Sequence, residues 1–405
     1  MSAPAPVLLA DSLTEVPATP DAQWLPPAEW PAGAGALFLP GPPAGEDPVI
    51  ITRYADVEDI LMAPAGTWSR DVPDSVVPPA ERHAILDASW LLDGPEHRTL
   101  RSQLTAVNRG SSPAARQFTR DLTRALLAAM MTQPPPWNLA TIIDEVSYRV
   151  VIEHTLAAPP LASRTVRLRQ LSRDMAPGQH DAGDVMAYFQ AERQTELEDI
   201  LAAVAGQAGE LPPGVARHLA ELAASGQLTS RRLTGQLAML IVSAESQAAA
   251  ASSLTGMLLA AGLFSQAQAM TGNPGAMRRL AAEGGRRGLS FPFLLLTAAR
   301  ATRAGGWDIP GGTPLVISYA AANMDPEVFG PGAAGFDPRA DRPPHLAFGK
   351  GIHRCQGAVQ AAQFMEDVFA GLAGLPASTR LGHGGQLRRE VTRVSWAVPE
   401  LPAIP

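Results

Sequence analysis

The chain has one cysteine, one lysine and few aromatic residues, 5% of the total. A single cysteine excludes an internal disulfide and suits a reducing compartment. Net charge is −7, with no basic tail and no basic stretch interleaved with aromatics, so nucleic-acid binding has no support. The stretch from Met1 to Trp24 carries Asp11 and Glu15 among alanines and prolines. It lacks the positive start and apolar core of a secretion signal, and any apolar run long enough to cross a bilayer. A soluble, cytoplasmic protein without a membrane segment is expected. Lys350 is the only lysine; arginine supplies the other positive charge. What is present is apolar mass. Hydrophobic residues make up 46% of 405 positions, ample for a large core. Length alone suggests two or three domains, but no repeat or linker-like break in composition divides the chain. Residues 1–47 read as an extended Pro/Gly-rich segment, and residues 48–405 as one large domain.

The pattern along the chain is mostly helical with minor sheet. Residues 48–53 read as a strand, because β-branched residues follow a turn signal. Tyr54 to Met62 reads as a helix packed by Val57, Ile60 and Leu61. Residues 66–92, broken by Pro73, Pro78 and Pro79, read as a long loop with a short helix; long loops in compact domains are commonly functional. Helices follow from Glu96 to about Asn108, over 113–132 and 137–157, and in two or three pieces over 160–226. Leu228 to Leu263 is one long segment with Thr229 or Ser230 as N-cap. It is apolar nearly all round, which marks a buried central helix. Residues 307–319 read as a hairpin around Pro310-Gly311-Gly312. A helix from about Ala358 to Leu372 and short strands near Val391 to Val398 complete the pattern.

The lone cysteine stands in Phe348-Gly349-Lys350-Gly351-Ile352-His353-Arg354-Cys355-Gln356-Gly357. A buried free cysteine behaves as a small hydrophobe. A thiol in a loop with three glycines in ten residues suggests chemistry instead, since glycine lets backbone lie close to a bulky flat ligand. A thiolate held this way can bind a metal axially. The F-G-x-G-x-H-x-C-x-G spacing resembles the haem-binding loop of the cytochrome P450 family. Other blocks extend the resemblance from about residue 48 to 398. His97 and Arg101, one helical turn apart, resemble the H-x-x-x-R pair that binds haem propionates. Glu283 and Arg286 match E-x-x-R, with an implied role as a buried ion pair behind the haem. The third partner of that pair is normally an arginine, but Arg339 and Arg342 flank its expected position at Ala340, which leaves the assignment open. Ala321-Ala322-Asn323-Met324-Asp325-Pro326 carries Met324 where the family usually has arginine.

The resemblance implies a mainly α fold with minor β, a haem b (iron protoporphyrin IX) and Cys355 as iron ligand. Thiolate ligation favours O–O cleavage. The implied cofactor contacts are His97, Arg101, Ala244, Phe348, Gly349, His353, Cys355 and Gly357. Electrons would come from NAD(P)H through a ferredoxin- or flavodoxin-type partner, drawn to Lys350 and Arg354 on the thiolate side. The implied reaction is hydroxylation or oxidative coupling of a hydrophobic or aromatic secondary metabolite, or of a peptide. Segments 66–92, 160–190 and 290–297 are expected to meet substrate, with Trp68, Trp90, Phe291 and Phe293 as candidate apolar contacts.

Three departures stand against the pattern. Counting from Glu283, Leu296 occupies the position that usually supplies a further propionate arginine; Arg300 or Arg303 could serve only after a local shift. His97, Arg101 and His353 would then carry most of those contacts. In the central helix the usual A-G-x-D/E-T is replaced within Val242-Ser243-Ala244-Glu245-Ser246-Gln247-Ala248. One register makes Glu245 and Ser246 the acid and hydroxyl of a proton relay. Sliding by one gives Ser246 and Gln247, and sliding by two gives Gln247 and Ala248. No register keeps the threonine, and these side chains could simply bond within the helix. Gln356 stands where the family is usually apolar; its amide either donates to the sulfur or faces solvent. The altered helix also permits a peroxide-driven or oxygen-independent haem enzyme. A non-catalytic recruitment scaffold is opposed by retention of Cys355, His97 and Arg101.

Overall fold

The computed structural model describes residues 37–38, 49–70, 83–108, 110–175, 191–206, 208–385, 387, 390–391 and 396–405. Nearly all of the expected N-terminal segment 1–47 lies outside these residues, as do 71–82 of the long loop and 176–190 of the expected substrate-facing segment. The helices are α1 (Tyr54–Met62), α2 (Gly94–Val107), α3 (Pro113–Met130), α4 (Leu139–Val150), α5 (Pro159–Ala162), α6 (Thr165–Met175) and α7 (Ala191–Ala205). They continue as α8 (Val215–Ala224), α9 (Ser230–Ala260), α10 (Phe264–Gln268), α11 (Pro274–Arg287), α12 (Tyr319–Ala322), α13 (Pro326–Phe329) and α14 (Ala358–Leu372). Local chemistry sets several of these ends. The side chains of Ser112, Thr229 and Asn273 each accept a backbone N–H from the first turn they precede, satisfying donors that no helical carbonyl can reach.

The main sheet contains β1 (Leu37–Phe38), β2 (Val49–Ile51), β3 (Trp68–Ser69), β5 (Phe293–Ala298) and β8 (Pro314–Ser318), in the order β1-β2-β8-β5-β3. Only β2 and β8 run parallel within it. A second sheet joins β4 (Trp137–Asn138), β12 (Pro402–Ile404) and β9 (Arg380–Leu381). Two ribbons remain, β6 (Thr302–Ala304) with β7 (Trp307–Ile309), and β10 (Glu390–Val391) with β11 (Trp396–Ala397). The expected hairpin over 307–319 is therefore not formed. β7 folds back onto β6, and β8 enters the main sheet. The Gly312 N–H donates to Ala298 O, which ties the turn to β5 and carries β8 away from β7.

Helix α9 is the axis of the molecule. Among the described residues it is the one helix long and apolar enough to cross a membrane, but most of its apolar window is buried inside the protein. It divides its packing between two cores. Leu233 to Ala244 joins the cluster built with α6, α7 and α8, while Ala248 to Leu259 joins the larger cluster shared with α11, α14 and the sheets. Glu245, Ser246 and Gln247 fall between these clusters, half-buried. A polar triplet at a seam between two apolar cores is the place in this helix where polar groups cost least to keep.

Candidate active site around Cys355

Close packing shapes the cysteine loop. Gly351 has φ +67°, and a Cβ there would sit 2.2 Å from Leu61 O at the end of α1. Gly349 also takes a positive φ, +63°. A Cβ on Gly349 would come 3.6 Å from the Tyr319 hydroxyl, so Tyr319 lies against the loop. The Cys355 N–H donates to Phe348 O over 2.7 Å, closing the loop on itself. Phe348 is half-buried and stands edge-near His345, with ring centroids 5.5 Å apart. A Cβ on Gly357 would touch Cys355 Sγ at 3.9 Å. Cys355 itself is exposed, yet burial, partly offset by nearby arginines, pushes its thiol pKa up. The two observations agree if its open surface faces a hollow walled by protein rather than free solvent.

Cationic groups gather beside this loop. His97, on α2, is 1% exposed. Its ring lies 4.1 Å from that of His353, and neither of its nitrogens has a hydrogen-bond partner. Burial, with the neighbouring His353 and Arg101 charges, lowers its pKa to about 4. Leaving such a group unpaired costs about 1–3 kcal/mol. Arg101 extends one Nη2 to Arg354 O, next to the cysteine. His353 Nε2 meets Asp93 Oδ1 at 3.0 Å. Asp93 stands at the N-cap of α2 without capping it, because its carboxylate takes His353 and the Arg70 backbone N–H instead.

Arg70 was not visible as a site residue in the sequence. It follows β3, and burial above all lowers its guanidinium pKa, with Tyr319, Asp93 and Arg101 as its electrostatic neighbours. Arg70, His97 and His353 thus gather around one carboxylate, Asp93, with Arg101 close to Arg70 and His97. That ring suits an anionic ligand with more than one carboxylate, and the orphaned His97 nitrogens suit the same ligand. Among the described residues no three His, Cys, Asp or Glu side chains converge to chelate a metal. Any metal here would rest on Cys355 as a lone protein donor.

The supports behind the loop are fully bonded. Glu283 and Arg286 are each 1% exposed at the side chain and pair at 2.7 Å. Arg286 spends its five donors on both Glu283 oxygens and on the carbonyls of Asn323, Ala333 and Gly335, all at 2.6–2.8 Å. Asn323 Oδ1 in turn accepts Leu346 N at 2.7 Å, just before Phe348. Gly284 and Gly285 stand in the last turn of α11, where side chains would press on Leu254 and the His345 ring. The open question of the third arginine has a structural answer. Arg342 bonds the carbonyls of Phe329 and Gly332, whereas Arg339 is exposed. Neither guanidinium reaches Glu283, which takes the Asp337 N–H instead.

Ala244 is fully buried and its carbonyl accepts Ser147 Oγ from α4 at 2.6 Å. Helical period places it with Leu237, Ile241 and Ala248 on the packed stripe of α9. Several expectations need correction. Gln356 neither reaches the sulfur nor faces solvent alone. Its amide donates to Arg101 O and Thr105 Oγ1, both at 3.0 Å. Lys350 is paired with Glu58, which neutralises much of its pull on an acidic partner, while Arg354 is exposed. Arg300 is exposed and touches Thr67, and Arg303 is exposed beside Asp308, so neither moves into the place of Leu296. Glu245 accepts Ser172 Oγ from α6 at 3.3 Å. Ser246 and Gln247 make no side-chain hydrogen bond to any described residue. Of the expected apolar contacts, Trp68 and Phe293 are buried, Trp90 is half-buried, and Phe291 is 37% exposed. A hollow of about 590 Å³ lies between α2 and the loop, lined by His97, Arg98, Arg101, Thr105 and Ile352 among others. No α9 residue lines it, so it belongs to the outer thiol side and not to a chamber over the central helix.

Comparison with known proteins gives the same architecture. No family model matches the chain. A biflaviolin synthase of Streptomyces coelicolor is 25% identical over 326 residues, covering 77% of this chain and 75% of that protein. The cytochrome P450 monooxygenase PikC of Streptomyces venezuelae is 25% identical over 354 residues, covering 78% and 75%. Among solved structures, a cytochrome P450 in complex with filipin I superposes with TM-score 0.79 at 23% identity, covering 96% of this chain and 98% of that one. The chain therefore has the cytochrome P450 fold, and along most of its length it is similar in sequence to cytochrome P450 enzymes of Streptomyces.

Proposed function

We propose that this chain is a haem-thiolate oxidase of secondary metabolism, with Cys355 as iron ligand and His97, Arg101 and His353 facing the haem carboxylates. The observation that carries the reading is the pairing of an exposed but desolvated lone thiol with a buried His97 whose ring nitrogens lack partners. Bound there, haem would supply activation of oxygen, and the thiolate would favour O–O cleavage. The protein's own part is to hold, exclude and relay. The loop's backbone bond to Phe348 fixes the sulfur, and the Arg286 network fixes the loop. Glu245 and Ser246 sit half-buried at the seam of α9, where they can pass protons toward bound substrate or oxygen. The register with Gln247 and Ala248 in those roles is disfavoured, because Ala248 is 5% exposed and part of the core.

The substrate class is a hydrophobic or aromatic secondary metabolite, or a peptide. Relatives whose names specify biflaviolin synthesis and thaxtomin hydroxylation support this class and leave both coupling and hydroxylation open. A serine in place of the usual threonine favours neither outright. Electrons would come from NAD(P)H through a ferredoxin- or flavodoxin-type partner in the cytoplasm. Exposed Arg98 and Arg354, with the exposed apolar side chains Ile352 and Val359, form a face of suitable chemistry on the thiol side. The test is spectroscopic. The reduced, carbon-monoxide-bound protein should absorb at about 450 nm, as thiolate-ligated haem does, and Cys355→Ser should lose that band. A wild-type protein that binds no haem, or lacks the band when fresh, would refute the proposal.

A further inference from the structure

The sequence vacates one propionate arginine at Leu296, and the fold puts another arginine beside the gap. In the β3–β5 ladder Trp68 stands opposite Ala298 and Ser69 opposite Thr297. Continuing that antiparallel register by one residue sets Arg70 directly opposite Leu296. Directly opposed residues of an antiparallel pair project from the same face of the sheet. Leu296 is 6% exposed, so the side chain at that position points into the molecule. Arg70 faces the same way, half-buried. Its guanidinium makes no hydrogen bond to any described residue. Partial burial already disfavours the Arg70 charge, and a carboxylate partner would offset that cost.

Its neighbours identify the acceptor. The Asp93 carboxylate holds the Arg70 backbone N–H and the His353 ring together. His353 stacks beside His97, and Tyr319, between Arg70 and Gly349, lies against the cysteine loop. Resting on the haem-thiolate reading above, we infer that Arg70 is a cofactor-anchoring residue, donating to a haem propionate across the strand from Leu296 and replacing the arginine that Leu296 displaces. A planar fork of donors binds a carboxylate through two bonds from either strand, so the contact survives the transfer from β5 to the end of β3.

Haem anchoring can be read apart from catalysis, by transfer of haem to excess apomyoglobin. Arg70→Leu is expected to keep the reduced carbon-monoxide band while releasing haem about tenfold faster than wild type. Arg70→Lys, which keeps the charge but not the fork, should fall between them. Adding Leu296→Arg to Arg70→Leu should restore slow release, because it returns the fork to the opposing strand. Release at the wild-type rate from Arg70→Leu, or failure of Leu296→Arg to slow it, overturns the inference while the 450 nm band upholds the haem-thiolate reading. Loss of the band from the wild type would instead sink both.

Discussion

Two polar regions flank the proposed haem site, and they are built in opposite ways. Behind the cysteine loop, Glu283 and Arg286 are sealed from water, and Arg286 has every donor occupied. In the middle of α9, Glu245, Ser246 and Gln247 lie half-buried between two cores, with Glu245 tied to Ser172 of α6. The first arrangement holds one geometry. The second leaves side chains able to turn toward water or substrate. A buried ion pair breaks expensively when one partner is removed, whereas a half-solvated carboxylate loses little stability and can lose much chemistry. The difference separates a scaffold from a relay, and it can be tested by asking each region for the other's phenotype.

The largest effect should come from the scaffold. Glu283→Ala leaves Arg286 charged and buried with its carboxylate gone, and should destabilise the protein by roughly 3–5 kcal/mol. Chemical denaturation of the haem-loaded protein measures this. A loss below about 1 kcal/mol would mean that the carbonyls of Asn323, Ala333 and Gly335 hold Arg286 without help, and that the contrast between the regions is overstated.

The seam should show the reverse. Glu245→Gln removes the acid but preserves the amide's ability to bond Ser172. Product formed per NADPH consumed should fall by about 10²-fold if Glu245 relays protons, with stability changed by less than about 1 kcal/mol. Ser246→Ala should produce a smaller fall, since water can stand in for a hydroxyl. A large loss of stability with unchanged turnover would make Glu245 a structural tie between α9 and α6.

The contrast also explains what could be read from sequence. The scaffold is legible because its members lie close together in the chain or in fixed blocks: Glu283 with Arg286, Asn323 before Asp325, and His353 with Cys355. The long apolar segment 228–263 announced α9, observed as Ser230–Ala260, and Tyr54–Met62 and Ala358–Leu372 were readable to the residue. Arg70 was not. Its significance depends on the register of two strands far apart in the chain, and no local pattern carries that. The hairpin expected over 307–319 failed for a related reason: a Pro-Gly-Gly turn marks where the chain reverses, but not which partners its strands take.

Gln356 gives the smallest and sharpest comparison, because it lies beside the cysteine yet belongs to the scaffold. Its amide is spent on Arg101 O and Thr105 Oγ1 of α2. Gln356→Leu should therefore weaken the union of α2 with the loop by about 1 kcal/mol, a small drop in Tm, and leave the haem reduction potential where it was. If the potential falls instead, the amide donates to the thiolate when haem is present, since hydrogen bonds to a ligand sulfur raise the potential. The scaffold would then reach past geometry into the electronics of the iron, and the division between holding and reacting would run through this residue rather than between the two regions.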